Sequence, residues 1–449
     1  MIGQFPWDPF PPSGEPDPKG PDPVHTIAFR AAVTAADAYR SVRLALRRES
    51  GSLRVGNRFV TDGRYRQVAF LAFGTAANSM ALAALHVIGD RLTQGFLAGP
   101  EPVAPEIPFR GVQVPPGWGG APEAGEVIAA AVELAGGLSE QDLLLVLLSG
   151  GAVRGLTRPP RGMGEDEFGS FLRDAYGRGA TSTEVGLLSR VLGEGAVAGR
   201  LASAVPRADT ATLIVDRGDG PRMLGGGPVH PLGPTERGEC RELVIRLGLT
   251  DALPPPVREA LGTGEAPGVA LPDRIGRPVV VASPGDALKA AADAVFDKGW
   301  TSRLAFLSLR ETPAAAAGRF LARSEELYAA EGLTTDSRTK GVGTFAMTNL
   351  GVPEGVDEGP AFGEFVTAAR AELHRRELSV GLFRTAGAIG APEFPAGAVV
   401  GAATDPDSRV RPDRARVVAM RRGITDVGML AVALFPTPTI ARGRSAGSA

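Results

Sequence analysis

Asp142 to Leu148 reads Asp-Leu-Leu-Leu-Val-Leu-Leu and stops at Ser149-Gly150-Gly151. A run this short with no polar side is a strand buried on both faces, the centre of a parallel sheet covered by helices. Gln67–Phe73 (QVAFLAF) repeats the pattern, breaks at Gly74 and resumes as a helix over Thr75–Ile88. Thr210–Val215 is a third buried strand, ending at Asp216-Arg217-Gly218-Asp219-Gly220, and Gly95–Leu97 is a short fourth. Helical spacing covers Ala124–Gly136, Glu165–Gly177 and Ser182–Ala204. Strands alternating with helices give an α/β fold, and ligands of such sheets bind beyond the carboxyl ends of the strands, where these glycine turns lie.

The flanking segments extend this frame. Thr26–Arg48 has the apolar spacing of one long amphipathic helix. Leu253–Pro284 is rich in Pro and Gly and reads as a crossing between domains. Beyond it come a strand at Val279–Ala282, helices at Gly285–Lys298, Thr312–Glu331 and Glu364–Arg376, and strands at Ala305–Leu309, Gly343–Thr348, Ser379–Phe383, Val417–Met420 and Met429–Phe435. With 449 residues the chain is long for one core and suits two. The expected organisation is a domain over 25–250, a second over 275–437, and Pro/Gly-rich or polar tails at 1–24 and 438–449 that read as disordered.

Composition narrows the partners. A formal net charge of −2 draws the chain to neither nucleic acid nor a membrane surface. No apolar run is long enough to span a bilayer, and the first residues lack the pattern of a secretory signal. The single cysteine, Cys240, excludes an internal disulfide and fits a reducing compartment, so a cytoplasmic location is expected. Lysine occurs only at Lys19, Lys289, Lys298 and Lys340. A phosphate in the first domain would therefore be held by arginine, backbone N–H groups or a metal.

Several segments, in order from about residue 26 to 437, resemble the two-domain glycerate 2-kinase family (DUF4147 with a C-terminal MOFRL domain). They are Asp37–Arg43, Gly89–Leu97 (GDRLTQGFL), Asp142–Gly151, Gly179-Ala180-Thr181, Ala198–Ala202, Gly227–Pro231, Ser283–Ala294, Pro395–Val400 and Gly423–Leu434. The resemblance implies a Rossmann-like parallel sheet followed by a MOFRL-like α/β domain. It also implies ATP and Mg²⁺ as cofactors if kinase activity is retained. The family's charged positions are largely replaced. Its Gly-Lys-Ala-Ala turn matches Gly74-Thr75-Ala76-Ala77, and its Arg-Lys-His helix matches Arg190-Val191-Leu192. Its histidine turn falls near Gly117-Trp118-Gly119, and its aspartate-rich loop matches Thr385–Phe394, with Gly387, Gly390 and Phe394 where the acids stand. Phosphoryl transfer rests on positioning and charge compensation, so this pattern implies a kinase scaffold without its kinase charges.

The candidate site residues each carry two readings. Ser149, Gly150 and Gly151 can cradle an anion with backbone N–H groups or form a simple tight turn. Thr75 can donate one hydrogen bond there. Arg154 and Arg190 can hold a carboxylate or phosphate, or be paired structurally. Asp216 and Asp219 can bind Mg²⁺ or cap their turn. His230 can act as a general base or be an ordinary loop histidine. Trp118 can stack on a ligand or pack its loop, and Glu364 can belong to a site or favour a helix start. The functional expectation is a repurposed enzyme for a small anionic metabolite, a hydroxy acid or phosphorylated compound. The alternatives are a divergent ATP-dependent kinase and a catalytically dead homologue, as a homodimer or a partner subunit.

Overall fold

The computed structural model describes residues 23–49, 52–56, 58–61, 64–118, 120–195, 201, 207–218, 235–262, 276–309, 311–334, 336–348, 364–365, 367–369, 371, 379–384, 399–400 and 429–436. Asp219, His230, the loop at 385–394, the strand expected at Val417–Met420 and nearly all of both tails lie outside these residues.

In chain order the elements are α1 (Pro23–Ala36), α2 (Ala38–Ala45), β1 (Leu46–Glu49), β2 (Ser52–Val55), β3 (Arg58–Thr61), β4 (Gln67–Phe73), α3 (Ala77–Ile88), β5 (Leu92–Gly99), β6 (Arg110–Gln113), α4 (Ala124–Gly136), β7 (Asp142–Leu148), α5 (Ala152–Leu156), β8 (Thr157–Arg158), α6 (Glu165–Gly177), α7 (Ser182–Leu192) and β9 (Glu194–Gly195). They continue with β10 (Asp209–Val215), α8 (Glu236–Arg246), α9 (Pro255–Gly262), β11 (Val279–Ala282), α10 (Pro284–Phe296), β12 (Thr301–Leu309), α11 (Pro313–Ala330), β13 (Gly341–Thr348), β14 (Ser379–Arg384), β15 (Val399–Val400) and β16 (Met429–Pro436).

The first sheet is six-stranded, ordered β11-β10-β7-β4-β5-β6 and parallel throughout. Numbered by appearance in the chain, that order is the 3-2-1-4-5-6 of doubly wound dinucleotide-binding sheets, with the order reversing between β4 and β7. All seven residues of β7 are buried, as its unbroken apolar sequence requires. Each of its leucines contributes about 1.5–3 kcal/mol relative to exposure. Val279–Ala282, which the sequence places at the head of the second half, pairs with β10 and completes this sheet.

The second sheet is mixed, ordered β12-β13-β16-β14-β15, with β12 parallel to β13 and the other pairs antiparallel. The architecture is thus two-part α/β. A helical layer joins the sheets. On α1, Ala28, Ala32 and Ala36 recur every four residues; on α10, Ala287 and Ala291 do the same, and all five are buried in one core with Phe345 and Val432 of the second sheet. Small side chains at this spacing let the two helices approach closely.

Three local expectations change. The long helix expected over Thr26–Arg48 is broken at Asp37, whose carboxylate caps α2 by accepting the Arg40 N–H at 2.7 Å. Its end becomes β1, which pairs antiparallel with β2. The helix expected over Ser182–Ala204 ends at Leu192, where Gly193 stands in extended conformation, followed by β9.

Polar groups fix the amino ends of the strands. The Asp142 carboxylate, fully buried, accepts the Ser139 N–H at 2.8 Å and the Ser139 hydroxyl at 2.7 Å, and faces Arg66 at 3.3 Å. Burial pushes this carboxyl up, but the Ser139 hydrogen bonds and the Arg66 charge outweigh it and hold the carboxyl below the ordinary 3.8. A depressed folded value stabilises the fold above the unfolded value, and that contribution disappears as pH falls through the folded one. Asp142→Asn is therefore expected to be less stable than the unaltered protein near neutral pH, with the gap narrowing below pH 3.8. Urea denaturation across that range measures it, and a gap that stays constant into acid would contradict this account. Tyr65 and Arg64 anchor Asp209 of β10 in the same way, at 2.5 and 2.7 Å. Cys240 on α8 is buried, and burial pushes its thiol up to about 12 against the lowering charges of Arg237 and Arg241, so it is an inert packing residue.

Candidate functional site

The parallel register sets Phe73 beside Leu148, so the turns after β4 and β7 emerge side by side at the carboxyl end of the sheet. They are stitched together. The Thr75 N–H donates to the Gly150 carbonyl at 2.8 Å, and the Ala76 N–H donates to Ser149 Oγ at 3.0 Å. Ser149 is fully buried, and its hydroxyl donates to the Phe73 carbonyl at 3.2 Å. Gly74 has φ +107°, and a Cβ there would lie 2.4 Å from the Ser149 carbonyl oxygen and 2.6 Å from that of Gly150. Only glycine lets the turns approach this closely. Two amides of the first glycine turn are thus bonded within the protein. Gly151, at φ +79°, leads into α5, a single short turn of helix.

Thr75 keeps its hydroxyl buried, with no hydrogen-bond partner among the described residues. It lines a cavity of about 10 Å³ beyond β4 and β5, together with Gly74, Asn78, Gly99, Glu101 and Val103. Asn78 fixes the outer rim: its amide nitrogen donates to the Pro102 carbonyl at 2.8 Å and its oxygen accepts the Ala104 N–H at 3.1 Å. Gln113 donates to the Pro100 carbonyl at 2.9 Å. Sequence reasoning missed Asn78, Gln113 and Glu101. Their signal is the Pro-punctuated segment Gly99–Pro105 directly after a strand.

The two arginines expected to meet an anion are engaged by the protein. The Arg154 guanidinium donates to the carbonyls of Pro115, Trp118 and Gly120 at 2.7, 3.0 and 3.0 Å, clamping the loop after β6. Burial lowers its pKa, opposed by the charge of Glu123. Arg190, on α7, is 1% exposed and pairs with Glu236 on α8 at 3.2 Å. Asp216 accepts the Gly218 N–H at 3.1 Å, closing its own turn, and its N–H donates to the Ala282 carbonyl. The neighbouring Arg217, buried at the end of β10, was not anticipated. Trp118 packs against Tyr176 with ring centroids 5.4 Å apart. Burial raises the Tyr176 hydroxyl's pKa, and the charge of Glu364, from the second half, raises it further. The structure therefore brings Thr75 together with Ser149 and Gly150, and turns Arg154, Arg190 and Asp216 toward structural partners.

The turn after β4 carries no cation of its own among the described residues, and two of its amides are already taken. A phosphate needs free amides or cations, but the Thr75 and Ala76 amides are bonded and the ionisable side chain lining the cavity is the acid Glu101. Among the described residues no three His, Cys, Asp or Glu side chains converge. Also among them, no helix is long and apolar enough to cross a membrane.

Comparison with known proteins follows this geometry. A family model described as a domain of unknown function, DUF4147, matches residues 25–262, more than half of the chain. Glycerate kinase of Bos taurus is 29% identical over 244 residues, covering 50% of this chain and 45% of that protein. Glycerate kinase of Homo sapiens is 30% identical over 218 residues, covering 45% and 41%. A putative hydroxypyruvate reductase of Agrobacterium vitis is 31% identical over 180 residues, covering 39% and 45%. The matched region spans about half the length of these relatives or less. Among solved structures, a Pyrococcus horikoshii protein matches with a TM-score of 0.64 at 17% identity, over 92% of this chain and 98% of its own. Glycerate kinase of Thermotoga maritima matches at 0.62 and 19%, over 92% and 100%. At these identities the solved structures establish the fold. The relatives' names point to a kinase and a reductase on related sequences, so fold does not fix the chemistry.

Proposed function

The chain belongs to the DUF4147 family, and from that premise we propose that it is a repurposed small-molecule enzyme on a glycerate kinase-like scaffold that has lost glycerate kinase activity. The observation that carries this reading is the crevice between β4 and β7. Thr75 stands where the resembling motif has a lysine, and the amides of its turn are tied to Ser149 and Gly150. Kinase catalysis is almost entirely positioning and charge compensation around the transferred phosphoryl group. Loss of a single preorganised donor costs about 10²–10³ in rate, and here the cation is replaced and two amides of its turn are already bonded.

The test is a coupled assay of the purified full chain with glycerate, ATP and Mg²⁺, alongside calorimetric titration of ATP. Turnover is expected at least about a thousandfold below the ordinary kinase range of roughly 1–100 s⁻¹. A rate inside that range would refute the proposal and return the chain to the kinases.

A further inference from the structure

One side chain fastens the strap of chain between β6 and α4. Arg154, on α5 just after the Ser149–Gly151 turn, donates from Nε to the Pro115 carbonyl and from Nη1 to those of Trp118 and Gly120. Gly117 lies against the guanidinium, where a Cβ would stand 2.6 Å from Nη2. The other side of the strap meets α6. A Cβ at Gly169 would lie 3.1 Å from the Trp118 carbonyl oxygen, and the Trp118 ring packs on Tyr176. The strap thus joins the segment after β7 to the helical layer around α6 and α7. Nε and Nη1 of a cation therefore meet neutral carbonyls, while a carboxylate nearby keeps an oxygen unused. Glu123 is the N-cap residue of α4 but makes no capping hydrogen bond with its side chain. The Ala121 N–H donates to the Arg154 carbonyl at 3.3 Å, which sets the start of α4 against α5. The Glu123 charge acts on the guanidinium. Yet Glu123 Oε2 is buried with no hydrogen-bond partner among the described residues. Such an oxygen is costly to leave unmatched, and a hydrogen bond between charged groups is about twice as strong as a neutral one.

We propose that Arg154 is a two-position latch, closed on the strap carbonyls in this structure and open when its guanidinium swings to the Glu123 carboxylate and releases Trp118. The closed position has more hydrogen bonds and the open one has fewer but charged ones, so the two balance closely enough to exchange. Gly117 and Gly120 flank Trp118 and supply the hinges. Opening bares α5 and the Ser149–Gly151 turn before it, so one side chain sets access to the crevice from this side. The latch goes beyond the loss-of-kinase reading and does not depend on it.

Hydrogen exchange of the full chain, read by mass spectrometry on the peptide 112–123, tests it. The Ala121 amide in that peptide is bonded to Arg154 when the strap is closed, and its exchange follows the open population. Glu123→Gln removes the charged second seat, and exchange is expected to slow by about threefold or more. Arg154→Lys keeps the charge but not the planar fork, and exchange should speed up by about tenfold. Adding Glu123→Gln to Arg154→Lys should then change nothing further. Faster exchange in Glu123→Gln, the result for a carboxylate that merely supports the start of α4, would overturn the proposal, and so would unchanged exchange. Melting curves confirm that each variant is folded. If Arg154→Lys does not fold, the direction of the change in Glu123→Gln alone decides.

Discussion

Arg190→Ala is expected to destabilise the fold by about 3–5 kcal/mol, the usual cost of removing one partner from a buried ion pair. The sequence leaves Arg190 two readings: a contact for an anionic ligand, whose loss would leave stability nearly unchanged, or a structurally paired residue. Arg190 is 1% and Glu236 5% exposed, and they pair across α7 and α8, which favours the structural role. Truncating the arginine removes a buried positive charge from beside a buried carboxylate. Replacing both by apolar residues of similar volume, Arg190→Met with Glu236→Leu, should cost far less than the single change, since buried pairs often only break even against packing. Urea denaturation of the single and double variants decides the matter. A loss under about 1 kcal/mol for Arg190→Ala would show that the pair contributes little and would restore the ligand-contact reading.

Gly74→Ala is the other large effect expected. A residue with a side chain is strained at φ +107°, and its Cβ would meet three atoms of the neighbouring turn within 2.4–2.6 Å. The backbone term costs roughly 1–2 kcal/mol and the overpacking about 1–3 more. Because Ser149 lies under the turn without room to retreat, the two should combine to about 2–5 kcal/mol. Gly125→Ala is the control, since Gly125 sits in α4 with open space at its Cβ position. There alanine should be neutral or stabilising by about 0.5–1 kcal/mol. Comparable melting temperatures for the two variants would mean that the turns after β4 and β7 are not locked together.

The elements legible in the sequence were those whose burial leaves a plain pattern. β4 and β7 are buried on both faces, so their strings are unbroken and apolar. α4 and α6 showed clear spacing, and the Gly turns marked the strand ends where the site lies. Other elements hid for physical reasons. Asp37 interrupts α1–α2 without interrupting the apolar period, so the sequence ran the helix straight on. β1 and β2 place Arg47 opposite Arg54, and arginine on both strands obscures the alternation. α8 (ERGECRELVIR) buries only Glu236, Cys240, Leu243 and Val244, too narrow a stripe to read. Within the site, position was legible and partnership was not. Arg154 meets carbonyls 34–39 residues away and Arg190 meets a carboxylate 46 residues away. Nothing in a local motif distinguishes an arginine awaiting a ligand from one that folding has already neutralised.

The helix α10 has a consequence for anyone who would take the molecule apart. It follows directly from β11, the outer strand of one sheet, and leads through a short turn into β12, the outer strand of the other. Its alanine ridge is seated on that of α1. A cut between residues 262 and 276 therefore does not fall on a seam. The first fragment would lose a strand and expose the alanines of α1, and the second would carry a strand with no sheet to join. Two such pieces would behave as halves of a split protein, each insoluble or unstructured alone and complementing the other when produced together.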